Sequence, residues 1–116
     1  MRRDPTAAEL LEAVCGWLGA EDAAAGGFHR RVARNVIDIV RRELALWPTM
    51  EAEAVQRMAA LLGHEGTFVE LEAELAEAIR TGRIAEDDPG LRDHLKRTAL
   101  DALAVDQPRY VHELTL

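Results

Sequence analysis

The sequence predicts an all-α fold, a compact antiparallel bundle of about five helices. Three observations carry this. Strong helix formers dominate, with 20 Ala and 15 Leu against 8 Val and 4 Ile. Aromatic residues make up only 4%, too few for the core of a β-sandwich or barrel. Apolar residues recur at helical spacing in segments separated by glycine and proline. With 116 residues, 48% hydrophobic and 30% charged, the chain reads as one folded domain over residues 1–116.

Asp4-Pro5-Thr6 opens the first helix, with Asp4 as cap and Pro5 in the first turn. Leu10, Leu11, Val14, Trp17 and Leu18 form its apolar stripe, and Gly19 ends it. Residues 19–27 read as a connection containing Gly26-Gly27. The second helix runs from about Phe28 to Leu46. Phe28, Val32, Val36, Ile39 and Val40 gather on one side, and Arg30, Arg31, Arg34, Asp38, Arg41 and Arg42 on the other. Pro48 is expected to stop it, because a proline pushes the preceding residue out of the helical region.

Thr49 is then expected to cap a third helix to Leu62, with Val55, Met58, Ala59 and Leu62 inward and Gly63 as its end. Thr67 and Glu70 form a capping box for a fourth helix carrying Leu71, Leu75 and Ile79, closed by Gly82. Asp88-Pro89 opens a fifth, with Leu91, Leu95, Ala99 and Ala102 as its stripe. Pro108 ends it, and the tail with Tyr110 is expected to fold back onto the bundle.

The formal net charge of -7 argues against a nucleic-acid partner, since phosphate neutralisation needs a basic surface. No segment approaches the roughly 20 apolar residues of a membrane span, so no membrane partner is expected. One cysteine and no apolar leader fit the cytoplasm. The chemical inventory is thin. The chain has no serine, and Cys15 has no sequence-adjacent His or Lys to activate it, which suits a buried structural thiol. His29, His64, His94 and His112 match no metal-ligand spacing. No catalytic residue, metal site or cofactor is expected.

Two groups of side chains remain. His29 and Glu43 project to the apolar side of the second helix, and Asn35 lies at its edge, so each is expected to be buried and hydrogen-bonded. They are structural groups or they face a ligand. The second group is a charge pattern. Arg30, Arg34 and Arg41 on the second helix and Glu70, Glu74 and Glu77 on the fourth offer complementary surfaces. Such surfaces suit a second copy or another protein. A homodimer is the simplest outcome, because two-fold pairing is the commonest assembly.

The residues also resemble a family. Phe28-His29-Arg30-Arg31-Val32-Ala33-Arg34-Asn35-Val36, with Ile39-Val40-Arg41-Arg42-Glu43-Leu44, is similar to its central signature. Leu61-Leu62-Gly63, Ile79-Arg80-Thr81-Gly82, Asp88-Pro89 with His94-Leu95, and Leu103-Ala104-Val105-Asp106-Gln107-Pro108-Arg109-Tyr110 continue it in order, over about residues 5–110. Trp47, Glu72 and Gln107 depart from it: the family has glycine at the first of these and asparagine at the other two. The family is a small, uncharacterised bacterial domain of unknown function. The resemblance implies association with aminoglycoside phosphotransferase-like kinases and acyl-CoA dehydrogenases, and it assigns no catalytic residue. The expectation is therefore a non-catalytic accessory or interaction domain in such a pathway, with its larger enzyme as a partner. The competing reading is a binder of, or an enzyme for, a small acyl or phosphate-bearing ligand, using the polar residues of the second helix.

Overall fold

The computed structural model describes residues 3–19 and 26–114. Among them are five helices and no strand: α1 (Ala7–Gly19), α2 (Gly26–Leu62), α3 (Phe68–Arg80), α4 (Pro89–Asp106) and α5 (Arg109–Leu114). The fold class is all-α as predicted, but the helices divide differently. The predicted second and third helices are one helix of 37 residues with Pro48 inside it. Pro48 has no N–H to give the Leu44 carbonyl, yet both residues are exposed, so water can satisfy that carbonyl. Thr49 is an interior helical residue rather than a cap. Gly26-Gly27 belongs to the first turn of α2, not to the connection.

The chain forms two compact units, Met1–Trp47 and Pro48–Leu116. In the first, α1 is opened by Thr6 and not by Asp4. The Thr6 Oγ1 accepts from the Glu9 N–H at 3.2 Å, and the Glu9 carboxylate accepts from the Thr6 N–H at 3.4 Å. That is a reciprocal capping box, satisfying two donors that a helix start leaves open. Val14, Ala33, Val40 and Glu43 are the buried side chains of this unit among the described residues. Leu11 and Trp17 stay exposed, and so does Cys15, contrary to the buried thiol expected of it. Val14 holds the inward direction of α1, and the next residue points about 100° away.

In the second unit, Ala54 and Met58 of α2, Leu71 and Leu75 of α3 and Leu91 of α4 form the core. Thr67 caps α3 by accepting from the Glu70 N–H at 3.3 Å. Asp88 caps α4 by accepting from the Leu91 N–H at 3.0 Å, with Pro89 in the first turn. Gly63 and Gly82 adopt φ of 81° and 77°, the left-handed region that a side chain rarely enters. The stripe of α4 is displaced from the predicted one. Leu91, His94 and Val105 are buried, whereas Leu95 and Ala99 are exposed. The tail forms α5 and returns against α4. Its Tyr110 remains 44% exposed, with the Arg109 guanidinium 5.8 Å from the ring centroid.

Candidate functional site

The predicted polar residues of α2 part company. Glu43 is buried and is held by Arg3, whose Nε donates to its Oε1 at 3.0 Å. Asn35 is exposed, which corrects its expected burial. The buried line of α2 in the first unit is Ala33, Val40 and Glu43, and Asn35 lies about 130° off that line by helical geometry. The His29 side chain falls outside what the structure describes. Of the two described side chains, Glu43 serves an ion pair and Asn35 faces solvent, so they share no pocket.

The face of α2 about 90° from that buried line is more informative. Arg30, Arg34, Ile37, Arg41 and Leu44 lie within about 80° of one another around the helix. All five are exposed. Leu44 is 69% exposed, an unusual placement for a large apolar side chain beside arginines. Arg41 reaches Asp38 at 3.6 Å, a solvated contact that contributes little. Among the described residues, no hydrogen bond or ion pair occupies Arg30 or Arg34. An open groove lined by Asp38, Arg41, Arg42, Leu44 and Ala45 follows this edge.

The glutamates of α3 divide as well. Glu70 and Glu77 are exposed. Glu77 is bridged by Arg80, with Nε to Oε2 at 3.1 Å. Glu74 does not belong to the same surface. It is half-buried, 2.6 Å from His64 Nε2 and 3.3 Å from Arg83 Nη2. The Glu65 carbonyl and then the Glu74 carboxylate raise the His64 pKa, and the His64 hydrogen bond holds Glu74 low.

One cluster was missed by sequence reasoning. On α2 and α4, Arg57, His94 and Asp101 converge inside the second unit. Arg57 Nε donates to His94 Nδ1 at 3.1 Å, and its Nη2 approaches Asp101 at 3.9 Å. His94 is 6% exposed. The arrangement requires neutral His94 with its ring proton on Nε2, because Nδ1 must offer its lone pair. Burial, and then the Arg57 charge, push the His94 pKa down. Burial likewise raises that of Asp101. An adjoining groove of about 340 Å³ is lined by Glu53, Lys96, Arg97 and Leu100. Asp93 also lines it, but is tied to Arg97 at 3.0 Å. With Nδ1 occupied, His94 has no free basic nitrogen to take a substrate proton. The signal that could have found the cluster is the series 91, 94, 98, 101 and 105, which is helical spacing interrupted by polar residues.

This cluster predicts its own acid response. Replacing His94 with Leu leaves the Arg57 Nε unsatisfied, and should cost about 2 kcal/mol. Because the folded pKa of His94 is depressed, the unfolded chain binds its proton more readily. Its contribution is present above about pH 6.5 and is lost as pH falls below that. The exposed His64 acts in the opposite sense, since its raised pKa favours the folded state below about pH 6.5. The raised pKa of Asp101 acts at more acid pH. Melting temperatures of the wild type should therefore fall more between about pH 7 and about pH 5 than those of His94→Leu. Parallel profiles would show that His94 is not the titrating group.

Among the described residues, no group of three potential ligands could hold a metal ion. None of their helices is long and apolar enough to cross a membrane. Neither a curated protein nor a solved structure matches the chain. One family model does, over residues 21–110, so the match starts after α1 rather than near residue 5. It contains the arginine stripe of α2, the glutamates of α3 and the Arg57–His94–Asp101 cluster. The chain belongs to the DUF6285 family, a domain of unknown function.

Proposed function

We propose that this chain is a non-catalytic interaction domain, and that the outer face of α2 is where a partner docks. One observation carries the reading. Arg30, Arg34 and Arg41 alternate with the exposed Ile37 and Leu44 on a single helical face. Apolar side chains supply the area that association buries, and arginines supply direction and partner choice. A partner of matching chemistry presents a helix with an apolar ridge flanked by carboxylates. In the other candidate, Arg57 Nε is taken by His94 and its Nη2 lies 3.9 Å from Asp101, buried and without a hydrogen bond among the described residues. A larger enzyme of an acyl-CoA dehydrogenase or phosphotransferase pathway, in the cytoplasm, is the partner class that the family resemblance suggests.

The test uses the full chain as bait in the native host, beside a variant carrying Arg30→Glu, Arg34→Glu and Arg41→Glu. All three side chains are exposed, so the variant should keep the wild-type helical content. The expected result is a partner retained by the wild type and lost by the variant. Equal retention by both would place the partner elsewhere. Turnover of an acyl-CoA or phosphorylated compound by the isolated chain would overturn the non-catalytic reading.

A further inference from the structure

The face that fits the α2 stripe is present in the chain itself. On α3, Val69, Ala73 and Ala76 form an exposed ridge, and Val69 is 56% exposed. Glu70 and Glu77 flank that ridge on one side, seven residues apart. On α2, Ile37 and Leu44 form the ridge, flanked on one side by Arg34 and Arg41, also seven residues apart. Seven residues span about 10.5 Å of helix, so the two charge spacings are equal. Both faces are open to solvent in the single chain.

We infer that the α2 stripe of one copy docks on the α3 ridge of a second copy, with the two helices antiparallel. The inference rests on the interaction reading above and names its partner. The orientation follows from handedness. Along each helix, viewed from its N-terminus, the charged flank lies on the same rotational side of the apolar ridge. Two such faces in parallel would place arginines and glutamates on opposite sides of the contact. Turned antiparallel, they share one side. Arg34 then meets Glu77, and Arg41 meets Glu70, while Ile37 and Leu44 lie against Val69, Ala73 and Ala76. Glu77 keeps its own Arg80 and still has acceptor sites for Arg34, since a carboxylate offers about four. The packing is the shallow helix crossing in which small residues let the partner helix approach. A contact of this size is weak and salt-sensitive.

The experiment is a charge swap followed by sedimentation velocity over a wide concentration range, at about 0.05 M and about 0.5 M salt. One variant carries Arg34→Glu and Arg41→Glu, and the other Glu70→Arg and Glu77→Arg. Helical content by circular dichroism checks that each is folded. The wild type should self-associate in a concentration-dependent way, more strongly at low salt. Each variant alone should weaken association about tenfold or more, because like charges then face each other. An equimolar mixture of the two should restore it, since every stripe again meets a face of opposite charge. A third variant, Ile37→Ser with Leu44→Ser, should weaken association without changing its salt dependence. A wild type that stays monomeric, a variant that associates as the wild type does, or a mixture that stays monomeric would each overturn the inference. If the inference fails while capture still depends on Arg30, Arg34 and Arg41, only the second copy is excluded as occupant. The interaction reading then stands with a foreign partner.

Discussion

Leu71→Ala should lower unfolding free energy by about 3–4 kcal/mol, read as a shift in the urea midpoint. Leu71 is fully buried, in a core shared with Ala54, Met58, Leu75 and Leu91. Its surroundings have little room to collapse into the space it would leave. A side chain at Gly66 would already lie 3.3 Å from the Leu71 Cγ and Cδ2, so the loop presses directly on this residue. The cost therefore combines lost burial of the isobutyl group with a retained cavity. Leu95→Ala, on the exposed side of α4, should change stability by less than about 0.5 kcal/mol. A large loss at Leu95 and a small one at Leu71 would put the core on the wrong face.

Arg3→Ala should cost about 3 kcal/mol at neutral pH, although the residue lies before the first helix. The Arg3 and Glu43 side chains are 13% and 6% exposed. Taking away the guanidinium leaves a carboxylate out of water with its compensating charge gone. The loss is larger than the net worth of the intact pair, because desolvation of both groups has already offset much of their attraction. Adding Glu43→Leu to Arg3→Ala should recover most of the stability, since the site then buries an apolar side chain instead. Thermal melts of the single and double variants read this directly. A double variant no more stable than Arg3→Ala would show that Arg3 acts through its packing and other contacts, not through Glu43.

Local signals in the sequence located most helix ends. Thr67, Asp88-Pro89, Gly63 and Gly82 do there what their chemistry predicts. The α3 stripe was legible because its inward positions are nearly all apolar. The α4 stripe was not, because His94 and Asp101 occupy inward positions that face Arg57 on another helix. Apolar periodicity registers such positions as gaps, and the phase slides to Leu95 and Ala99. Pro48 was misread for a different reason. The rule that a proline ends a helix assumes that the lost hydrogen bond matters. On an exposed face water can replace it, so the helix continues through Pro48. The outward direction of Arg30, Arg34 and Arg41 followed from helical angle alone. The exclusion of Glu74 did not, because it depends on His64 and Arg83, which come from outside α3.

The Arg3–Glu43 pair also separates two meanings of a domain boundary. The family match begins at residue 21, on the near side of α2, and includes the carboxylate without its counterion. A segment cut where sequence similarity begins would be electrostatically unfinished. It would have to hydrate Glu43 or borrow a cation from elsewhere. The stretch that the family model matches and the stretch that holds both halves of this ion pair are thus different lengths of chain. The difference is set by a single arginine far outside the matched stretch.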